Sequence, residues 1–237
     1  MVRLPQNSQR ADNFIYWEYS EEESYFVFGS FMTLLGFIFS ILSMLSCSFA
    51  IVNWAVDGVK YALGIGLFRW YNTITSSCRA YNQDSIDSIE FVFADRAAKG
   101  LSAAAVAFGG LWALIVLVII IANVACCVKR GCCPRFNLNS TSHATFFVLS
   151  ELTFSSSILQ ICTLTYFKND VCNTEGLNCT MGLGAHYAIA SFFLYLIGCF
   201  VYVYMARARL RLAKAGRGVS EQIGWVLEES LLGIGSV

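Results

Sequence analysis

The sequence predicts an all-α membrane protein: a four-transmembrane-helix bundle with a small extracellular β-sheet in its first loop. Composition is the first observation behind this fold class. Hydrophobic residues make up 57% of the 237 residues and charged residues 14%, whereas soluble domains average about 45–50% and about 25%. The second observation is that residues 100–128 contain no formally charged side chain. A helix of that length, at about 1.5 Å per residue, crosses a hydrocarbon core about 30 Å thick.

Three further stretches are apolar enough to cross the membrane, which gives four spans and places both chain ends on one side. The third span is the most polar, since it contains Glu151, Gln160 and many Ser and Thr residues. No apolar h-region occurs within residues 1–24, so we expect the first span to serve as its own insertion signal. The predicted segments are a cytosolic N-terminal segment (1–24), a transmembrane domain (25–206) with helices at about 25–52, 101–128, 144–167 and 181–206, outer loops at 57–99 and 168–182, and a basic and amphipathic cytosolic tail (207–237).

The basic residues predict which side of the membrane each connection faces. They concentrate between the second and third spans and at the start of the tail, at Lys129, Arg130, Arg135, Arg207, Arg209 and Arg211. Because Lys and Arg favour the cytosolic side, we expect both termini in the cytosol and both outer loops outside or in a lumen. The plasma membrane is the expected location, and an endomembrane is the alternative. The start of the tail, at Arg207, Arg209 and Arg211, is also expected to attract anionic lipid.

The first outer loop divides into two halves of different character. The first half is rich in aromatic and β-branched residues and contains Gly64 and Gly66 as turn or bulge points. This pattern favours a hairpin within a small sheet, with an irregular loop as the alternative. The second half is acidic, with Asp84, Asp87, Glu90 and Asp95. These carboxylates are expected to form a solvated loop face.

The same loop carries residues at characteristic positions. They are Trp54 after the first helix, the triplet Gly66-Leu67-Phe68 with Trp70 nearby, Cys78, and Arg96 before the second helix. In these residues and in topology the chain resembles the claudin and peripheral-myelin-protein tetraspan superfamily. That family has Gly-Leu-Trp where Phe68 ends the triplet here, and a second loop cysteine that this loop lacks. The resemblance implies a scaffold or adhesion function exerted through the outer loops. As the alternative to a solvated face, it also implies that Asp84, Asp87, Glu90 and Asp95 are the charges of a pore.

Three cysteines fall in the predicted outer loops: Cys78, Cys172 and Cys179. The outer compartment is oxidising, so pairing is expected. Cys172 and Cys179 are close in sequence, and we predict a disulfide between them. Cys78 then remains a thiol, bonds to another subunit, or takes one of the second-loop pair instead. Cys47 and Cys162, near the outer ends of the first and third spans, are further candidate partners.

Four other cysteines bracket the cytosolic end of the second span: Cys126, Cys127, Cys132 and Cys133. Juxtamembrane cysteines beside basic residues are typical sites of S-palmitoylation, and the claudin resemblance implies cysteines at this location. A zinc site is the less favoured alternative, because adjacent cysteines point their thiolates apart and zinc sites usually space them by two to four residues. Unmodified thiols are the third alternative.

Glu151 is the acidic residue inside a predicted span. A carboxyl group at a helix centre costs about 2.5–3.5 kcal/mol on insertion scales and is a functional candidate by default. We predict a buried polar pin, in which Glu151 bonds to Asn123 of the second span or Thr33 of the first. An ion or proton site is the alternative, although no second acid lies in any span to complete a relay.

Phe68, Trp70, Tyr71 and Cys78 are the predicted interaction residues of the first loop. Trp and Tyr are enriched in binding hot spots, and this half of the loop is the main apolar surface outside the membrane. The alternative is that the rings cap the bundle or lie at headgroup level. Asn178 begins an Asn-Cys-Thr glycosylation sequon, whose closeness to the membrane and to Cys179 disfavours its use.

No enzyme is predicted. His143 and His186 fall on opposite sides of the membrane and cannot share a site, and no phosphate-binding loop, zinc-protease motif or nucleophile elbow occurs. No cofactor or metal is expected, and the net charge of zero disfavours nucleic acid. The expected partners are the lipid bilayer and either itself or other membrane proteins. The function predicted is a tetraspan scaffold or adhesion protein; the alternative is a channel, transporter or auxiliary channel subunit with Glu151 as its intramembrane polar site.

Overall fold

The computed structural model describes residues 8–72, 77–80, 93–130, 142–168, 172 and 178–233 of the chain. Within these residues lie four long helices: α1 (Ser8–Leu45), α2 (Phe93–Arg130), α3 (His143–Cys162) and α4 (Leu183–Gly233). A 3-10 helix, Thr163–Lys168, continues α3. Each long helix contributes a segment apolar enough to cross a membrane: Glu23–Leu45, Arg96–Ala122, His143–Lys168 and Leu183–Ala213. The predicted four-span bundle is therefore confirmed.

The four helices form a closed ring around a common axis. α4 packs mainly against α1 and α3, and α2 packs against α3 and α1. It follows that α1 faces α3 across the axis and α2 faces α4. α1 and α3 run toward the end of the bundle that carries the sheet, which we call the sheet side, and α2 and α4 run away from it toward the terminal side.

A five-stranded antiparallel sheet covers the sheet side. Its strands are β1 (Ala50–Val56), β2 (Val59–Ile65), β3 (Arg69–Asn72), β4 (Ser77–Ala80) and β5 (Asn178–Met181), in the spatial order β4-β3-β2-β1-β5. The first four strands come from the first loop, where a small sheet is predicted. β5 comes from the second loop and is not predicted, because a strand of four residues carries too little alternation to be recognised.

The hairpin of β1 and β2 follows from its two-residue turn. Asp57 and Gly58 both have positive φ, at 51° and 80°, as type I′ turns require and as Asp-Gly pairs favour. The turn pairs Val56 with Val59 and Trp54 with Tyr61. The first span is therefore shorter than the expected 25–52, since α1 ends at Leu45 and residues 50–56 form a strand. An apolar run with β-branched residues does not by itself distinguish helix from strand.

The helices also extend beyond the spans on the terminal side. α1 begins at Ser8, inside the predicted N-terminal segment, and α4 continues through the predicted tail to Gly233. The backbone of residues 207–233 is thus helical and continuous with the fourth span.

Two apolar clusters hold the fold together, one at each end of the bundle. The upper cluster, on the sheet side, joins the sheet to the helix ends and consists of Phe49, Ala50, Leu67, Ala98, Tyr166, Ala185 and Ala188. The lower cluster, on the terminal side, consists of Phe26, Trp112, Val116, Phe146, Leu149, Leu152, Tyr202, Met205 and Ala206. The layer of the bundle between them is the polar one, and it is described below.

Candidate functional site

Two disulfides fasten the sheet at its two edges. The predicted pair Cys172–Cys179 is present, with its Cα atoms 5.2 Å apart, and Cys179 lies on β5. The second disulfide joins Cys47 to Cys78, with Cα atoms 5.8 Å apart. It ties β4, at the opposite edge, to the segment that follows α1. Each edge strand of the sheet is therefore held covalently.

The Cys47–Cys78 pair replaces the alternatives left open for Cys78. Cys78 is neither a free thiol nor a partner of the second-loop cysteines, and Cys47 does not pair with Cys162, which is free. Sequence reasoning names Cys47 as a candidate partner but does not select it, because it places Cys47 inside the first span. With α1 ending at Leu45, Cys47 lies outside the helix and can reach the sheet.

Side-chain and backbone contacts attach the centre of the sheet to the bundle. Leu67, the middle residue of the Gly-Leu-Phe triplet, is completely buried in the upper cluster. The Phe49 ring packs against Tyr166 and Phe167, at centroid distances of 5.4 and 5.9 Å. The start of α4 adds backbone bonds, because the Gly182 N–H donates to the Phe49 carbonyl oxygen at 3.0 Å. Burial of such side chains contributes about 1.5–3 kcal/mol each.

Apolar side chains remain exposed on the anchored sheet. Of the predicted interaction residues, Phe68 and Tyr71 are exposed, at 37% and 39%. The side chain of Trp70 lies outside the described residues, and its backbone pairs with Ile65. Cys78 is in the disulfide. Phe68 and Tyr71 thus stay available for contact with another molecule.

The hairpin tip adds apolar surface that sequence reasoning missed. Val59 and Tyr61 are exposed, at 53% and 45%, and the Tyr61 ring stacks on Trp54 with centroids 5.6 Å apart. The signal was present in Asp57-Gly58, since a two-residue turn fixes the register that sets Trp54 opposite Tyr61.

The expected role of Glu151 as an interior pin is wrong in its geometry. Glu151 is exposed on the outer surface of α3. Thr33 is completely buried and donates instead to the Gly29 carbonyl oxygen of its own helix, at 2.8 Å. The side chain of Asn123 lies outside the described residues. Helical position decides this outcome, because the buried side of α3 is occupied by its neighbours in sequence, Ser150, Leu152 and Thr153.

The interior is polar through hydroxyl and amide groups. α3 contributes more of them than any other helix, namely Ser150, Thr153, Ser156, Ser157 and Gln160, all buried. Several bond to backbone oxygens of their own or a neighbouring helix; Ser157, for example, donates to the Phe192 carbonyl oxygen at 3.2 Å. Because interhelical hydrogen bonds in membranes contribute about 0.6–2 kcal/mol, these groups help to hold α3 in the bundle.

Two hydrogen bonds cross the bundle axis at different depths. On the sheet side, Ser40 of α1 donates to Gln160 Oε1 of α3 at 3.0 Å. On the terminal side, Trp112 Nε1 of α2 donates to the Tyr202 hydroxyl of α4 at 3.2 Å. Tyr202 also bonds to Ser30 at 3.0 Å. Both pairs of diagonally opposed helices are thereby joined directly.

The small residues of α2 lie inside the bundle. Ala105 and Gly109 are buried, and a Cβ atom at Gly109 would collide with the Tyr195 hydroxyl. Ala113 packs against the lower cluster. These small residues therefore serve packing of the core.

Several remaining predictions concern parts of the chain with little or no description. Arg207 and Arg211 are exposed beyond the lower cluster, and Arg209 is half-buried. Asn178 is exposed on β5 next to the disulfide-bonded Cys179. Cys126 and Cys127 lie in the last turns of α2, with side chains outside the described residues. Five predicted residues lie wholly outside the described residues: Cys132, Cys133, Asp84, Asp87 and Glu90.

Comparison with known proteins identifies no family for this chain. A scan against protein-family models gives no match, and a search of the curated proteins gives none either. The claudin resemblance therefore stays a hypothesis.

Proposed function

We propose that this integral membrane protein is a claudin-like tetraspan scaffold or adhesion protein, acting through its outer loops and through lateral assembly. The observation that carries the proposal is the sheet, which two disulfides and the upper cluster hold rigid while Phe68, Tyr71 and Tyr61 remain exposed. Exposed aromatic side chains on a rigid support make a favourable binding surface, because little conformational entropy is lost when they bind.

The proposal includes an orientation. The sheet faces the extracellular side of the plasma membrane, and both termini face the cytosol. Support comes from Arg207 and Arg211, whose exposed side chains lie at the opposite end from the sheet and suit an anionic cytosolic leaflet. Palmitoylation of Cys126, Cys127, Cys132 and Cys133 would lie on that same side and would reinforce the attachment to lipid.

Lateral assembly is the second part of the proposal, and Glu151 supports it. Ionisable residues in spans almost always face protein or a water-filled cavity rather than lipid. Glu151 lies within the third candidate span and on the outside of a single bundle. A second membrane helix packed on this face of α3 would remove Glu151 from lipid and supply a hydrogen-bond donor.

The test uses the protein reconstituted into liposomes, with the sheet facing outward. Phe68→Ala combined with Tyr71→Ala is expected to abolish aggregation of the vesicles, while the detergent melting temperature stays near that of the wild type. The matched control is Leu114→Ala with Leu117→Ala, since these α2 side chains are exposed at 59% and 52% on the bundle rather than on the sheet. Vesicles that still aggregate with a correctly folded double variant would contradict the proposed adhesion surface.

A channel, transporter or auxiliary channel subunit is the second candidate. The position of Glu151 favours its auxiliary form, because a carboxyl group outside the bundle cannot line a pore within it but can contact a neighbouring protein. Ion flux measured across the same liposomes separates the two candidates: a flux that is absent from protein-free liposomes would support transport over adhesion.

A further inference from the structure

We propose that the bundle binds water at a closed polar site on its axis, formed by Ser40, Ser156, Gln160 and Tyr195. Three helices supply these residues. Ser40 belongs to α1, Ser156 and Gln160 to α3, and Tyr195 to α4. The fourth helix closes the site, because the Tyr195 hydroxyl reaches across the bundle to the backbone of α2 at Gly109.

The site is sealed from its surroundings. All four residues have 0% of their surface exposed. On the terminal side it ends at the Trp112–Tyr202 hydrogen bond and the lower cluster. No lipid chain or headgroup can reach it without separating the helices.

Three polar atoms in the site have no hydrogen-bond partner among the described residues: Ser156 Oγ, Gln160 Nε2 and Tyr195 OH. Ser40 and Ser156 both lie beside the Tyr195 hydroxyl, but neither meets the geometry of a hydrogen bond to it. Buried polar atoms in proteins are nearly always paired, with protein or with ordered water. The three atoms therefore point to a partner that the described residues do not provide.

Tyr202 offers a direct comparison within the same helix. It follows Tyr195 by two helical turns, about 10 Å further from the sheet, and is equally buried. Its hydroxyl has both a donor, Trp112, and a second partner, Ser30. At the level of Tyr195 the position toward α2 holds Gly109, which has no side chain to offer. The Tyr202 hydroxyl is thus paired with protein side chains, whereas the Tyr195 hydroxyl is left to bind water.

The chemistry of the site selects water over other ligands. Gln160 Nε2 can only donate, whereas the hydroxyls of Ser156 and Tyr195 can donate and accept. A bound cation would find the amide N–H unfavourable and would lack a carboxylate, and a bound anion would lack a positive charge. A neutral molecule that both donates and accepts fits all three atoms, and water is the smallest molecule of this kind. Buried waters of this kind typically make about three hydrogen bonds.

Further unpartnered hydroxyls lie toward the sheet. Ser43 Oγ and Ser102 Oγ are completely buried and have no partner among the described residues. Ser43 is one turn nearer the sheet than Ser40 on α1, and Ser102 is two turns nearer than Gly109 on α2. Hydration is therefore concentrated in the sheet-side half of the bundle, above the Trp112–Tyr202 bond.

Hydroxyl-radical footprinting of the intact protein in nanodiscs tests the proposal, since X-ray radiolysis converts bound water into radicals that modify the side chains beside it. Tyr195 is expected to be modified several-fold faster than Tyr202, although both are completely buried. Equal, slow modification of the two tyrosines would overturn the proposal.

The melting temperature of two variants supplies the second measurement. Tyr195→Phe is expected to lower it by several degrees, because the variant loses a bond to bound water. A hydroxyl without any partner would predict the opposite sign, since its removal relieves a buried unpaired group. Ser156→Ala, a smaller change in the same site, is expected to behave as Tyr195→Phe does, and an unchanged or raised melting temperature in both would overturn the proposal.

Discussion

Glu151 lies on the outer surface of α3 between exposed apolar neighbours, Phe147, Val148 and Phe154. A carboxyl group in the interior, bonded to a second helix, would stabilise the single bundle. A carboxyl group on the outside opposes insertion of the bundle into lipid. Replacing Glu151 by an apolar residue would therefore lower the stability of the bundle if Glu151 lay in the interior. The same substitution would leave the stability unchanged or raise it if Glu151 lies on the outside.

Glu151→Leu is expected to leave the melting temperature of the detergent-solubilised monomer unchanged or raised, because no interior partner is lost. It should reduce self-association in the bilayer, measured by energy transfer between labelled copies in liposomes. Phe154→Leu, on the same exposed face, is the matched control and should retain association. A lower melting temperature for the Glu151 variant would restore the interior role.

Tyr202→Phe is expected to destabilise the bundle by about 1–3 kcal/mol, because the indole N–H of Trp112 and the Ser30 hydroxyl lose a buried partner. Tyr204→Phe on the same helix is the control, since Tyr204 is exposed at 54% and should change stability little. Chemical denaturation in mild detergent measures both. Equal effects of the two substitutions would contradict the crossing hydrogen bond.

At the scale of elements, the sheet depends on covalent and apolar anchors of different strength. The Cys47–Cys78 bond closes 31 residues of sequence separation and the Cys172–Cys179 bond closes 7. In the chain-entropy description, a longer closed loop restricts the unfolded chain more. The first bond should therefore contribute more to stability than the second.

Replacing Cys47 and Cys78 together by Ser is expected to cost about 3–4 kcal/mol, against about 2 kcal/mol for Cys172 and Cys179 together. The two variants should also lose protection from hydrogen exchange in different strands. The first variant loses it in β3 and β4, and the second in β5. Melting curves and exchange under non-reducing conditions measure these effects. Equal loss of protection across all five strands in either variant would count against separate anchors at the two edges.

Leu67→Ala is expected to cost about 2–5 kcal/mol through the cavity left in the upper cluster. The loss should appear as weaker attachment of the sheet, seen as faster proteolysis of the first loop. Val59→Ala is the control, because Val59 is exposed at the hairpin tip. If both variants are cleaved at the wild-type rate, Leu67 does not anchor the sheet.

The whole molecule is divided along its axis: a disulfide-linked sheet at one end, a polar layer, an apolar cluster, and helices that continue past the spans at the other end. This asymmetry suits a membrane whose two faces differ in redox state and charge. The positions of Lys and Arg set the expected direction.

Lys60→Cys, on β2, is expected to react with a membrane-impermeant maleimide in intact cells, and Arg211→Cys, on α4, only after permeabilisation. Both native side chains are exposed, so accessibility of the site itself is matched. The reverse pattern would invert the orientation and would place the disulfides in the reducing compartment.

The sequence by itself determined the four spans, the presence of a small sheet in the first loop and the Cys172–Cys179 pair. Span length, strand-forming composition and short sequence separation are local properties that can be recognised without knowledge of the fold. Only the tertiary structure decided that Cys47 meets Cys78, that β5 joins the sheet, and that Glu151 faces outward while Tyr195 reaches the bundle axis. Each of these depends on where a helix ends or on how it is rotated about its own axis. Those quantities are set by packing among all four helices, because a shift of one residue turns a side chain by about 100° on a helix of 3.6 residues per turn.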